Sequence, residues 1–427
     1  MASCDSLFGL GLINSYMTDP VEICNSGTST ITCYTHKQQH KAVEDTFCVG
    51  TNIVIDFSKV HGEHQATKPP RGVAQYHSFD SSSTTADCKN TANFPTTKFM
   101  PHHTLQMNSF KDQTPTSTDA TRESTTTYLL ARDEDFENAF HSSADFLNME
   151  LVYQGLNLNK DDTQVVLLDR NPDGPFFEMI QNAFTTPNKP LKRAANYNNK
   201  KIVFDKVVWH LESPAGIVFP KVGNNGATGC HNEYLYSKYR QRVLSAFDLW
   251  DVPPPTVPSL TLIVRKRTSS KKCVLCDVRV VDLATLSYRE QIKTIRESNV
   301  IIGVHGAGLM NIIFAAEEAV LLEMHPHYRL DRHFRHSARL SGKHYMPLRS
   351  TEPVTCEGTS DNVPIPINEF RSALDGAVRL ARGFDNGLSE CGSNCPLSIL
   401  ALDDGHNGDY ARLGLTKAQR PDTKFPC

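Results

Sequence analysis

One run limits this chain more than any other: Val300-Ile301-Ile302-Gly303-Val304-His305-Gly306-Ala307-Gly308-Leu309-Met310-Asn311. Continuous apolar, β-branched residues read as a strand buried on both faces, and here such a strand passes directly into a small-residue turn and then a helix. That order brings backbone N–H groups and the positive end of a helix dipole up to an anion, and glycine at 306 and 308 permits close approach. His305 falls at the carboxyl end of the strand, where ligands bind in open α/β sheets, and can donate to a phosphate oxygen. The motif lacks the third glycine of a dinucleotide fingerprint and the Lys-Ser/Thr of a P-loop, so a tight βα turn that binds nothing is the competing reading.

The flanking sequence repeats the strand–helix alternation. Spacing predicts strands over 164–168, 202–209, 260–264, 274–281, 300–304 and 319–324. Helices are predicted over 136–153, 176–184, 233–249, 288–297, 308–315 and 330–340. This is the pattern of an α/β fold with parallel sheets. A chain of 427 residues exceeds one ordinary core. Asp251-Val252-Pro253-Pro254-Pro255 stops a helix and stiffens the connection, which marks a boundary between two α/β domains, 126–250 and 256–383. Ahead of them lie a cysteine-containing segment, 1–60, with a strand near 52–57, and a polar stretch, 61–125, too poor in large apolar residues to offset its ordering entropy. Residues 384–427 form a Gly/Asp/Asn-rich tail.

Charge is nearly balanced, 44 basic against 47 acidic side chains, which argues against nucleic acid as a partner. Of twelve cysteines, Cys24, Cys33, Cys88, Cys391, Cys395 and Cys427 sit in polar, turn-rich segments, the usage of a disulfide-forming, lumenal protein. No stretch approaches the roughly 18 apolar residues of a membrane span, and Met1 to Leu12 carries no basic leader, so membrane attachment is expected only through an anchor absent from this sequence.

Several side chains carry chemistry. Glu323 ends the strand beside the glycine turn, where its carboxylate can accept from ribose hydroxyls; a surface ion pair is the plainer reading. Arg265, coming off the strand 260–264, can reach diphosphate charge, although Arg265-Lys266-Arg267 also reads as a solvated basic loop. His141 and Asp145, four apart, share a helix face, so Asp145 can orient His141 or either can take a proton from an acceptor hydroxyl; such pairs are also commonly structural. Glu323, His325, His327, His333 and His336 form the rival pattern, a metal site of hydrolytic type, but Arg329, Arg332 and Arg335 interleave with it and repel a cation. Cys273 and Cys276 with Cys391 and Cys395 are a weaker metal pattern, since the first two point to opposite faces of a strand.

The runs Phe136 to Asp145 and Leu260 to Arg265, then Ser287-Tyr288-Arg289-Glu290-Gln291-Ile292, then Ile301 to Leu309, and Glu323 resemble glycosyltransferase family 61, in order over about Leu129 to Pro347. That family includes EGF-domain-specific O-linked N-acetylglucosamine transferases and plant β-1,2-xylosyltransferases. The resemblance implies a GT-B architecture of two Rossmann-like domains facing a cleft, an inverting mechanism, a UDP-sugar donor (UDP-GlcNAc or UDP-xylose), a glycoprotein or N-glycan acceptor, no required metal, and the Golgi or endoplasmic reticulum lumen. Carried over by position, Arg265, His305, Gly306, Ala307 and Gly308 cradle the diphosphate, Glu323 takes the ribose, and Asn138, His141 and Asp145 face the cleft from the acceptor domain. A protein that binds the nucleotide sugar without catalysis is the alternative within the same fold.

Overall fold

The run Val300–Val304 is the third strand of a parallel sheet in a computed structural model. The structure describes residues 3–25, 27–36, 45–68, 76–80, 83–88, 110–112, 120–133, 135–212, 218, 229–264, 269–272, 277–326, 332–350, 363–381 and 410–413. The chain divides into two units, 1–226 and 227–427. Both mix helices with parallel strands, so the α/β class is observed.

In the first unit, β1 (Val21–Cys24), β2 (Thr30–His36), β3 (Asp45–Asp56), β4 (Thr126–Leu130), β5 (Thr163–Leu167), β6 (Lys192–Arg193) and β7 (Lys201–Trp209) lie in the order β1-β2-β3-β7-β4-β5-β6. β7, β4, β5 and β6 are mutually parallel, whereas β1, β2 and β3 add antiparallel strands to one side. Cys33 and Cys48 face each other in register across β2 and β3 and form a disulfide; Cys24 is bonded to Cys88. The core of this unit is laid down by Ile53, Ile55, Leu129, Val166, Phe204, Val207 and Trp209.

Parts of the polar stretch 61–125 are ordered on this sheet: Thr84–Ala86 pairs with β3, Phe110–Asp112 with Thr84–Ala86, and Thr121–Glu123 with β7. Backbone pairing and the Cys24–Cys88 link hold what apolar burial does not, which composition alone does not reveal. The rest of the stretch lies outside the described residues.

The second unit contains β8 (Ser259–Ile263), β9 (Ser269–Lys272), β10 (Asp277–Val281), β11 (Val300–Val304), β12 (Val320–His325) and β13 (His344–Arg349). Their order is β9-β10-β8-β11-β12-β13, parallel except for β9. Without β9, the chain runs 2-1-3-4-5 across the sheet and reverses direction between β8 and β11, which is the point where ligands bind in such folds. Leu260, Leu262, Val300, Ile302, Val320, Leu322 and Met324 cover one face together with Phe370, Leu374 and Val378 of helix Ile367–Leu380.

Helix Tyr234–Ala246, expected to close the first domain, lies in the second unit. Its Tyr239 ring meets Phe314 at 5.7 Å, and the amides of Asn232 and Glu233 donate to the carbonyls of Arg339 (2.9 Å) and Leu340 (2.7 Å). The division therefore falls at Gly226/Ala227, ahead of the proline run, because packing partners rather than a stiff connection define the unit. Of the tail, only Tyr410–Leu413 is described, as a strand paired antiparallel with Val363–Pro366.

Candidate functional site

Period two along β12 puts Glu323 and His325 on one face, opposite the helix-covered face carrying Leu322 and Met324. β13 runs parallel to β12 with Leu321 opposite Tyr345, which brings the phenol beside that carboxylate. His305 follows β11 and continues its pairing, its amide donating to the Met324 carbonyl at 2.9 Å. Four side chains from three adjacent strands thus converge. Glu323 Oε1 accepts from His305 Nδ1 at 2.6 Å, and Oε2 accepts from Tyr345 Oη at 2.8 Å. Tyr345 Oη in turn lies 2.9 Å from His325 Nε2, which is 3.4 Å from Glu323 Oε2, and the His305 and His325 rings stack at 5.5 Å.

Glu323 is fully buried. Burial alone would raise its pKa, but hydrogen bonds and positive charge from His305 and His325 outweigh that and hold it below the usual carboxylate range. Burial, then the charge and hydrogen bond of Glu323, push Tyr345 up, so the phenol remains a donor. Both oxygens of the carboxylate expected to receive ribose are thus taken by protein donors, an arrangement that orients the His305 ring.

The turn after His305 leads into a 3₁₀ helix, Ala307–Phe314, where spacing predicts an α-helix. Bonds such as Leu309 N–H to Gly306 O (3.0 Å) close the tighter ring. Leu309 to Phe314 are all buried, so packing overrides propensity. The first N–H groups of such a helix have no carbonyl behind them, which leaves those of Ala307 and Gly308, in a partly exposed turn, for an outside acceptor.

The three glycines differ in what they serve. A Cβ on Gly303 would come within 2.7 Å of Leu309 Cδ2, so that glycine serves internal packing. At Gly306 the nearest atom to an added Cβ is 3.6 Å away, at Gly308 also 3.6 Å, and Gly306 is in extended backbone that any residue adopts. The protein itself makes no demand for glycine at these two positions, which is the property of a cradle that a ligand fills. A Cβ on Gly308 would lie 3.9 Å from Ile263 Cγ2, so the cradle sits at the reversal between β8 and β11. Arg265, two residues beyond β8, lies outside the described residues.

A second charged group occupies the carboxyl edge of the parallel strands of the first unit. Arg132 and Asp133 follow β4, Asp169 follows β5, and His210 follows β7. Arg132 is buried in an ion pair with Asp169 (2.7 Å) and also donates to the carbonyls of Asn171, Pro172 and Asp173. Helix Ala139–Gly155 supplies the predicted residues. Asn138 is its N-cap, accepting from Phe140 N–H at 3.0 Å while its amide donates to Asp135 at 2.9 Å. His141 Nδ1 donates to Asp133 Oδ1 at 2.8 Å, and its Nε2 lies 3.8 Å from Asp135.

Asp145, expected to orient His141, accepts instead from the Asp133 amide at 2.8 Å and lies 3.7 Å from His210 Nε2. The helix turns Asp145 inward, where it is 1% exposed, while the His141 side chain keeps 28% of its surface. Burial, then the charge of Asp133, push Asp145 well above the usual carboxylate range, and burial pushes His210 down to about 3. For His141, burial lowers the pKa but the hydrogen bond and charge of Asp133, with Asp135 and Asp145 adding, leave it raised. Asp133–His141 is thus the partly exposed charged pair of this edge.

Among the described residues, His305, Glu323 and His325 are a set whose ligand atoms lie within 4.8 Å of one another, as a metal would need. This set takes Glu323 and His325 from the sequence pattern but His305 in place of His333 and His336; His327, Cys273, Cys276, Cys391 and Cys395 lie outside the described residues.

Residues 263–322 match the sequence model of the family Glycosyltransferase 61, a segment that runs from the end of β8 through the glycine cradle into β12. The EGF domain-specific O-linked N-acetylglucosamine transferase of Mus musculus is 26% identical over 249 residues, 53% of this chain and 46% of that protein. The Gallus gallus protein of the same name is 25% identical over 53% of this chain and 45% of its own, and that of Drosophila melanogaster 24% over 60% and 53%. These matches make the chain similar to glycosyltransferase 61 proteins. It spans about half the length of the curated relatives it matches.

Sequence reasoning missed Asp133, Tyr345 and the pairing of Glu323 with His305. Asp133 had a legible signal, a carboxylate just beyond a parallel strand. Tyr345 had none, since only the register of β13 brings it to Glu323.

Proposed function

We propose that this chain is a glycosyltransferase that moves a sugar from a UDP-sugar, UDP-GlcNAc or UDP-xylose, to a hydroxyl of a glycoprotein or N-glycan acceptor. The observation that carries the reading is the cradle: amides of Ala307 and Gly308, with no side chain at Gly306 or Gly308, at the reversal of a parallel sheet within the family segment. His305, held by Glu323, donates to the diphosphate there, and Arg265 adds charge. Glu323 then acts on the donor through His305, in place of the ribose contact that its position in the sequence suggests.

The acceptor hydroxyl gives its proton to Nε2 of neutral His141, whose Nδ1–H is held by Asp133. The oxygen forms a bond to the anomeric carbon as the bond from that carbon to the diphosphate breaks, and the electron pair leaves on the phosphate oxygen, which the cradle stabilises. Attack opposite the leaving group inverts the centre. The reading includes a GT-B architecture of two Rossmann-like domains. The disulfides Cys24–Cys88 and Cys33–Cys48 support an oxidising compartment, and we assign the endoplasmic reticulum or Golgi lumen. No described helix is long and apolar enough to cross a membrane.

Thermal unfolding with UDP, UDP-GlcNAc, UDP-xylose or NAD, each with and without EDTA, tests the donor half. Stabilisation by UDP and one UDP-sugar, unchanged by EDTA, is expected, followed by donor hydrolysis or transfer. Stabilisation by NAD alone, or by no uridine nucleotide, overturns it. Dependence on a metal instead favours the His305–Glu323–His325 set as a cation site.

A further inference from the structure

Three cations are buried together in the second unit, at the end of its sheet opposite His305. Arg296 closes helix Tyr288–Arg296 and precedes β11, Lys343 directly precedes β13, and Arg240 stands on helix Tyr234–Ala246. β11, β12 and β13 are parallel, so residues just ahead of them mark the amino-terminal edge, whereas His305 and the glycine cradle lie at the carboxyl edge. Arg240 and Arg296 are each 7% exposed and Lys343 1%.

The two arginines meet at Trp250. The Arg240 guanidinium carbon lies 5.7 Å from the centre of its ring. Arg296 Nη2 donates to the carbonyls of Trp250 (3.3 Å) and Val252 (2.8 Å), and Nη1 to that of Ala315 (3.5 Å). Lys343 Nζ donates to the Ser341 carbonyl at 3.0 Å.

These partners carry no charge. Among the described residues none of the three cations has a carboxylate within ion-pair distance. Glu317 is exposed and acts only at longer range, and Glu318 is bound to His344 at 2.8 Å. Nε of both Arg240 and Arg296 is buried without a hydrogen-bond partner among the described residues. Burial, then the charges of Arg240 and Arg296, push Lys343 down to about 7. Guanidinium groups cannot shed the proton, so two of them buried with no carboxylate at ion-pair distance among the described residues, each with an unanswered N–H, are electrostatically complementary to an anion.

We propose that Arg240, Arg296 and Lys343 form a second anion site, which takes a compact multivalent oxyanion, a phosphate or sulfate group. The guanidinium Nε–H groups are the donors to it and Lys343 supplies a point charge. Such an ion would join helix Tyr234–Ala246 to the segment 250–252 and to the start of β13, at the sheet edge remote from the proposed donor cradle.

Titration of the full chain with inorganic phosphate, sulfate and a phosphate monoester, against chloride at matched ionic strength, tests this. Thermal unfolding and the fluorescence of Trp250, one of two tryptophans, are the readouts. A saturable rise in Tm with a change in fluorescence is expected for phosphate or sulfate and not for chloride. A response to the free ions with none to the monoester identifies a closed site for the ion itself; a response to the monoester identifies a site for a group carried on a larger molecule.

Arg240→Met and Lys343→Met should each weaken the oxyanion by at least about tenfold. Without oxyanion the same variants should melt higher than the parent, because an uncompensated buried cation is gone. UDP affinity should be unchanged in both. An equal response to chloride, no response in the parent, or unaltered oxyanion binding in Lys343→Met overturns the proposal.

Discussion

His305 and Glu323, on adjacent parallel strands, are joined by a 2.6 Å hydrogen bond from Nδ1 to Oε1, and the carboxylate is buried with its other oxygen on Tyr345. Removing the acceptor leaves the His305 and Tyr345 donors unanswered. Glu323→Ala should therefore cost about 3 kcal/mol of stability, read by denaturant unfolding. Glu323→Gln keeps the shape, so it should fold and bind UDP about tenfold more weakly, because a neutral amide holds the His305 ring less firmly. Unchanged UDP affinity in Glu323→Gln would show that His305 does not act on the donor.

Gly303 and Gly306 separate packing from binding. Gly303→Ala meets Leu309 Cδ2 at 2.7 Å and should destabilise by about 1 kcal/mol. Gly306→Ala has room within the protein, so Tm should barely move while UDP affinity falls by about tenfold or more. Calorimetric titration with UDP alongside thermal unfolding checks both.

The Asp133–His141 pair predicts a pH dependence. Its base form is the neutral imidazole, so kcat/KM should rise with pH through an apparent pKa above the ordinary histidine value, since Asp133 raises it. Asp133→Asn should move that inflection to lower pH and reduce the plateau about tenfold. The linkage has the opposite slope: a raised histidine pKa adds stability that is fully present below the unfolded value and disappears as pH climbs through the folded one. A profile that Asp133→Asn leaves unmoved assigns the base elsewhere.

Asp145 behaves differently because burial and Asp133 raise its pKa. An acid raised on folding destabilises once pH exceeds its unfolded value, so Asp145→Asn should raise Tm by a few degrees at pH 7, with the gain vanishing below about pH 4. Turnover should survive in Asp145→Asn and be lost in His141→Ala. The reverse result would make Asp145 the base.

The disulfides act through the unfolded chain. Cys24–Cys88 closes a separation of 64 residues and Cys33–Cys48 one of 15. Removing the first pair should cost about 4 kcal/mol and the second about 3. Denaturant unfolding of Cys24→Ser/Cys88→Ser and Cys33→Ser/Cys48→Ser checks the order.

The central elements were legible from periodicity: Val300–Val304 appears with its predicted bounds, and Thr163–Leu167, Lys201–Trp209 and Val320–His325 within one or two residues. Strands buried on both faces have little freedom to slip without exposing apolar side chains, so their limits show in the residues themselves. The helix after Gly306 was placed correctly but formed as 3₁₀, since hydrogen-bond spacing there answers to the packing of Leu309 to Phe314. Helix Tyr234–Ala246 was found, yet its unit was not, because Phe314, Arg339 and Leu340 lie far along the chain.

The sequence by itself determined the alternation of strand and helix and the glycine turn at a strand end, and it carried the resemblance to glycosyltransferase family 61. Each is local, written in side-chain period or in a contiguous motif. Only the tertiary structure decided which partners the charged residues take: Asp133 for His141, His305 and Tyr345 for Glu323, and no carboxylate at ion-pair distance, among the described residues, for Arg240, Arg296 and Lys343. Those pairings depend on strand order and register, which join residues across the sheet at distances along the chain that no local pattern encodes.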